Sequence, residues 1–478
     1  MTVKALYNNR QFIIQDITSK CNGKGAENVT GIPKSVQRLL YELETAGYEA
    51  WCVGGCVRDR LLGRKPGDWD VTTSALPEET MAVFGDRAIP TGLKHGTVTV
   101  RTAAGPVEVT TYRIDGAYQD HRRPEAVHFT RSLKEDLKRR DFTVNAMAVN
   151  LRGELRDPFG GQKDLKKNLL RCVGEPDRRF GEDALRILRG LRFAATLGFD
   201  LEPETAASLR RNRELLREIA AERIWAEWSR LLCGDRAAEV LREYPEVFGV
   251  FWPELLPMVG FDQRNFHHCY DVWEHTLHAF AWVPGDLILR CTMLLHDVGK
   301  TRTFTVDEEG VGHFCGHPSV SREMADQMLR RLKCDNDTRE TITLLVGWHD
   351  RNIDRTESGV CRALRRLGEE NLRRLLVIKR ADNMGQAEEF RWVQTEIGKA
   401  EEILENILER EACFSLKQLA VNGRDLLQLG FSGPAVGQML NRLLDEVVEG
   451  RLENEKEVLC AFAEAERRDA ANRIPCSL

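Results

Sequence analysis

Between Ala50 and about Asn150 short strand-like segments alternate with turns, whereas beyond about Pro158 nearly everything reads as helical. A chain that changes rhythm once, and does not return, is read as a sheet-containing head followed by a helical body. The segments "AWCVGG", "WDVTTS", "GTVTVRT" and "VEVTTYR" are rich in β-branched and aromatic residues and are expected to be strands. Before them, Val36, Leu39, Leu40 and Leu43 form a helical stripe that Gly47 ends. After them, "EDALRILRGLRFAATLGF" and "LRRNRELLREIAAERIWAEWSRLL" open the helical part. The expected class is α+β, a mixed-sheet head followed by an all-helical neck, body and tail. At 478 residues the chain exceeds what one core organises. The expected pieces are a polar, flexible extension over 1–30, a head over 31–170, a neck over 171–240, a middle helical domain over 241–390 and a tail over 391–478.

Composition narrows the class of partner. With 42% hydrophobic and 30% charged residues, and no apolar run near the roughly 20 residues of a membrane span, membrane insertion is not expected. The first twenty residues lack a small-residue cleavage site after their short apolar run, so the expected location is the cytoplasm. Thirteen cysteines without a CxxC pair are expected to be mostly reduced and buried. A net charge of −5 excludes a uniformly basic nucleic-acid binder, but 69 basic residues can still be gathered on one face.

The segment "WCVGGCVRDRLLGRKPGDWDV" places Gly54, Gly55, Arg58, Asp68 and Asp70 close together. On a strand, Asp68 and Asp70 face one side and Trp69 the other. A lone D-x-D is a solvated strand end. Joined by Glu108 from a neighbouring strand, it becomes an oxygen-donor set suited to Mg²⁺, of the kind used in two-metal nucleotidyl transfer. Gly54 and Gly55 allow backbone N–H groups close to an anion, and Arg58, in the first turn of a following helix, adds a fork-shaped phosphate donor.

These residues resemble the nucleotidyltransferase superfamily, specifically the bacterial tRNA nucleotidyltransferases that add CCA and their relatives the poly(A) polymerases. The likeness continues through "GLKHGTVTV", "DHRRP", "LKRRDFTVNAMAVN", "DPFGGQKDLKKNLLR" and "GEDALRILRGLRFA", from Trp51 to about Ala195. It implies that Arg140 contacts the nucleotide and Asp141 its ribose. It also implies that Asp183, Arg186, Arg189 and Arg192, spaced three apart along a helix, present acceptors and donors that select CTP and then ATP. The implied reaction is attack of the tRNA 3′ hydroxyl on the nucleotide α-phosphate with release of pyrophosphate. A loop within "DHRRPEAVHFTRSLKEDLKRRD" is implied to aid the switch from C to A addition.

Further on, "VWEHTLHAF", "LLHDVGKT", "CGHPS", "GWHD" and "KRADNMGQ" supply His275, His296, Asp297 and Asp382, an imidazole–carboxylate set for a divalent metal. They resemble the HD phosphohydrolases, which implies His317 and His349 as further ligands and Mg, Mn, Ni or Fe as the ion. The tail resembles the tRNA-binding tail of the CCA-adding family, with a stabilising helical cap as the competing reading. Three other functions stay open at this point: a poly(A) polymerase, an enzyme adding only the terminal A, and an HD phosphohydrolase with an inactive, RNA-binding head. The sequence leaves the oligomeric state open.

Overall fold

The computed structural model describes residues 31–116, 127–410 and 413–472. The expected extension over 1–30, and the "DHRRP" part of the switching loop, lie outside the described residues. Among the described residues two compact units emerge, those up to 190 together with 199–215 making one and 191–198 together with those from 216 onward the other.

The first unit is built on a seven-stranded mixed sheet. Its strands are β1 (Ala50–Val53), β2 (Asp70–Thr73), β3 (Ala88–Gly92), β4 (Thr97–Thr102), β5 (Gly105–Thr111), β8 (Ala148–Val149) and β9 (Leu155–Arg156). A separate ribbon pairs β6 (Arg113–Asp115) with β7 (Val127–Phe129). The sheet order is β3-β4-β5-β2-β1-β8-β9. β2 and β5 are parallel, and the other neighbours run antiparallel. β1 is buried along its whole length, as its apolar "AWCV" demands of a central strand. The stripe of Val36, Leu39, Leu40 and Leu43 is the buried face of the helix Lys34–Thr45. Trp51, Val53, Tyr112, Leu137, Ala146, Ala148 and Val173 form one core cluster beneath the sheet.

The second unit is almost wholly helical. Trp228 packs edge-on against Trp252 at 5.3 Å and tilted against Phe248 at 4.9 Å, and the Trp252 indole donates to the Met328 carbonyl at 3.1 Å. Buried indoles usually find such an acceptor. Helix Val272–Trp282 packs on Glu369–Met384, and Leu287–Leu295 packs on Asn336–Trp348. The end of the chain follows the expected breaks, with helices Gly423–Gln428, Pro434–Val448 and Lys456–Asn472. Among the described residues eleven cysteines are free thiols, six of them buried. No helix among the described residues is long and apolar enough to cross a membrane.

Candidate functional site

Parallel pairing places Asp70 of β2 directly beside Glu108 of β5. Their chain neighbours Val71, Val107 and Val109 are buried, so the alternation of side chains turns both acids to the opposite face. Asp68 is exposed and lies just before β2 begins, so it flanks the start of the strand, close enough for its charge to act on Asp70. Burial first, then repulsion from Asp68 and Glu108, pushes the Asp70 carboxyl up to about 6, with Arg140 opposing the rise. Two acids on a sheet face with a third flanking it, both neighbours repelling Asp70, are a hard oxygen set that suits a divalent cation such as Mg²⁺.

A cavity of about 220 Å³ opens on this face, lined by Asp70, Glu108, Thr97, Arg113, Arg139 and Arg140. Arg139 and Arg140 are held there by Asp136, which the sequence reading missed. Fully buried, it accepts from Arg139 Nη2 at 2.7 Å and from Thr72 Oγ1 at 3.2 Å, and lies 3.6 Å from Arg140 Nη2. The signal for it was weak, because "LKEDLKRRD" reads as a solvated helix face.

Gly54 begins the helix Gly55–Leu61 with φ +83°, a conformation L-residues rarely adopt, and a Cβ there would sit 3.1 Å from Arg140 Nη1. Arg58 is the fourth residue of that helix. Its Nη1 donates to Asn145 Oδ1 at 2.7 Å, and Asn145 Nδ2 donates to Asp141 Oδ1 at 3.1 Å. Asp141 Oδ2 accepts from Arg189 Nε at 2.9 Å and Nη2 at 2.7 Å. Burial alone would raise the Asp141 carboxyl, but the Arg189 guanidinium, Asn145 and the Phe142 N–H together hold it well below the usual range. Three of the expected nucleotide contacts, Arg58, Asp141 and Arg189, are thus one hydrogen-bonded chain through Asn145.

The expected helical row does not form as drawn. Asp183 is off the helix: its backbone is extended, and its carboxylate accepts from the Leu185 N–H at 3.2 Å, capping the helix Leu185–Leu197. Aspartate's preference for that capping position was the signal. Arg186 is buried and donates to Glu182 at 3.0 Å and to the Arg139 carbonyl at 2.9 Å, so it supports the cavity from behind. Arg192 belongs to the second unit, where it pairs with Glu227 at 2.5 Å.

The second unit contains its own constellation. His296 and His349 close the C-terminal ends of the helices Leu287–Leu295 and Asn336–Trp348, and each Nδ1 meets a carbonyl three residues back, Met293 O at 2.6 Å and Val346 O at 2.7 Å. His317 does the same to Phe314 O at 2.9 Å, and His275 Nδ1 meets Gly385 O at 3.1 Å. A carbonyl only accepts, so each Nδ1 carries the proton and each Nε2 is turned inward. There, Asp297 Oδ2 lies 3.3 Å from His275 Nε2 and 3.2 Å from His296 Nε2, and Asp297 Oδ1 lies 3.3 Å from His317 Nε2 and 3.7 Å from His349 Nε2. Asp382 Oδ1 is 3.0 Å from His275 Nε2. Five of the six expected residues converge in two groups that share Asp297, and Asp382 joins them through His275 and His296. Locked outer nitrogens and converging inner ones are the outer-shell pattern of metal-ligating histidines, and the donor set fits a divalent transition metal. Lys300, quoted but not assigned from sequence, sits 2.7 Å from Asp297 Oδ2 and donates to Gln263 Oε1 at 2.9 Å.

Comparison with known proteins matches residues 50–171 to the poly A polymerase head domain, 198–247 to a probable RNA and SrmB-binding site of polymerase A, and 302–463 to a putative tRNA nucleotidyltransferase domain 2. The CCA-adding enzyme of Geobacillus thermodenitrificans (strain NG80-2) is 54% identical over 203 residues, 42% of this chain and 50% of that enzyme. That of Geobacillus kaustophilus (strain HTA426) is 36% identical over 89% of this chain and 95% of its own length. A crystal structure of the Bacillus stearothermophilus CCA-adding enzyme in complex with CTP aligns over 92% of this chain and 98% of that one, at 30% identity and a TM-score of 0.66. With a shared head and identity running along nearly its whole length, the chain belongs to the CCA-adding enzymes, a family of bacterial nucleotidyltransferases.

Proposed function

We propose that the chain adds CCA to the 3′ end of tRNA from CTP and ATP, with Asp68, Asp70 and Glu108 holding Mg²⁺. The observation that carries this reading is the side-by-side placement of Asp70 and Glu108 on a face that also gathers three arginines. When bound, the ion would lower the cost of ionising the RNA 3′ hydroxyl and offset charge on the departing pyrophosphate. The chain's own groups do the positioning. Arg113, Arg139 and Arg140 supply fixed donors for phosphate oxygens, and Asp136 fixes the latter two before substrate arrives. The Arg58–Asn145–Asp141–Arg189 chain is the polar set we assign to the ribose and base, with Asp183 and Arg186 of the same unit as further positioning residues.

The test is incorporation of labelled CTP and ATP into tRNAs ending before CCA and after CC, and into an unrelated RNA. Addition of C, C and A that stops is expected. A ladder of added A residues on any RNA points to a poly(A) polymerase, A-only addition to an A-adding enzyme, and no incorporation to a binding head. Gly54→Val should strain the backbone by about 1–3 kcal/mol and displace the Arg140 guanidinium 3.1 Å from the new Cβ. Its KM for CTP should rise about tenfold or more; an unchanged KM removes Gly54 from the site.

A second reading concerns the His/Asp centre, favoured by its four histidines that all turn Nε2 inward. We infer that it binds a divalent metal (Mg, Mn, Ni or Fe) in an HD-type domain and hydrolyses phosphoesters separately from transfer. If His296→Ala and Asp297→Ala leave every phosphoester activity of the chain unchanged, this second activity is withdrawn.

A further inference from the structure

Sheet register puts hydroxyls beside the carboxylates of the head. Thr99 of β4 pairs with Glu108 of β5, and Thr97 pairs with Thr110. Val98, Val100, Val107 and Val109 are buried, so alternation turns Thr97, Thr99 and Thr110 to the face that carries Asp70 and Glu108. Thr97 and Thr110 line the cavity of about 220 Å³ on that face. Resting on the reading of the head as the CCA-adding site, we propose that this pair binds the 2′-hydroxyl of the RNA's terminal ribose. The two threonines thereby select an acceptor that ends in a ribonucleotide.

The chemistry of the pair fits a sugar better than a phosphate. Thr97 Oγ1 and Thr110 Oγ1 are 3.1 Å apart. Two hydroxyls bring two protons and their mutual bond uses one, which leaves one O–H to donate and lone pairs to accept. A ribose hydroxyl both gives and takes a hydrogen bond, whereas an ionised phosphate oxygen only takes and is matched by the arginines. The other threonines of the face are committed elsewhere. Thr72, fully buried, shares its proton between the Thr110 carbonyl at 3.1 Å and Asp136 Oδ2 at 3.2 Å, and Thr99 Oγ1 meets Thr91 Oγ1 at 2.8 Å.

Strand order separates the two reactants. Along β4-β5-β2-β1, Gly54 directly follows β1 and Arg140 lies against it, so these groups assigned to the incoming nucleotide stand on the β1 side of Asp70. The threonine pair spans β5 and β4, on the other side of Asp70. In-line transfer brings the attacking oxygen and the leaving pyrophosphate to opposite ends of the reacting phosphorus. The acceptor therefore takes the flank that the nucleotide does not fill. A ribose held there by its 2′-hydroxyl turns the adjacent 3′-hydroxyl toward Asp70 and Glu108. Arg113 lines the same cavity and donates to the His95 carbonyl near the start of β4, which adds a cation for the phosphate joining that ribose to the RNA.

The test gives the full chain labelled CTP and a tRNA ending before CCA whose last sugar is either ribose or 2′-deoxyribose, the 3′-hydroxyl being kept in both. The unaltered chain should use the ribose-ended RNA about tenfold better in kcat/KM, the worth of one hydrogen bond. Thr97→Val combined with Thr110→Val keeps the branched shape that strands favour. It should bring that preference close to unity by raising the KM for the ribose-ended RNA, with the KM for CTP within about twofold. Thr97→Ser combined with Thr110→Ser, which keeps both hydroxyls, should retain the preference. If the unaltered chain incorporates CTP without preferring ribose, or if the preference survives the valine pair, the threonine assignment fails and the reading of the head stands. A raised KM for CTP with an unchanged preference puts the hydroxyls on the nucleotide side and also overturns the assignment. If neither RNA takes up CTP, the reading of the head falls and the threonine contact with it.

Discussion

Asp70→Asn is expected to lower CTP and ATP incorporation by on the order of 10³-fold or more while making the metal-free protein more stable. The two effects share one cause. Burial and the neighbouring charges of Asp68 and Glu108 push this carboxyl to about 6, above the roughly 3.9 of an unfolded aspartate. The fold therefore disfavours the charged form. That penalty is absent below about pH 4 and fully developed above about pH 7, so stability contributed by this site falls as pH rises through 6. Asparagine removes the charge but keeps the shape. Above pH 7, without metal, urea unfolding should show a gain of about 2 kcal/mol, and at pH 4 almost none. A variant that loses activity and stability together would instead mark Asp70 as a structural residue.

Asp297→Asn should act in the opposite sense. This carboxylate faces four histidines and Lys300, and it accounts for both groups of candidate ligands. Burial alone would raise its pKa, yet His296 and Lys300 hold it well below the usual range. Without it, the Lys300 ammonium is left buried with no carboxylate at 2.7 Å, and a buried charge stripped of its partner costs about 3–5 kcal/mol. Denaturant titration should show that loss in the metal-free chain, and calorimetry should show no high-affinity Mn²⁺ binding. Transfer of CTP in the head should continue at temperatures where the variant stays folded. Full Mn²⁺ affinity in Asp297→Asn would remove Asp297 from the ligand set.

The sheet strands were legible because enrichment in β-branched and aromatic residues over "AWCV", "TVTVRT" and "VEVTT" is a local signal, and the helices because their stripes are long. Parallel pairing of β2 with β5 was not legible, since nothing within either segment encodes which neighbour it takes. The acids and histidines could be named individually because few other residue types do their chemistry. Their supports, Asp136 and Asn145, could not, because a buried polar residue that positions an arginine resembles an exposed one in sequence. The period of three from Asp183 to Arg192 misled for a related reason. Spacing carries no mark of where a helix begins, and at Asp183 the capping bond to Leu185 won over the helical pattern.

The alternation of β5 has a consequence for how such a chain tolerates change. Val107 and Val109 are packed inside while Glu108 is not, so a single-residue deletion upstream in the strand would drive a carboxylate into the interior and strand two valines in water. Such a variant would be lost to misfolding before its chemistry was ever tried. Greasy packing thus acts as the proofreader of acid placement: any copy of this chain that reaches its folded form has already aligned Asp70 with Glu108.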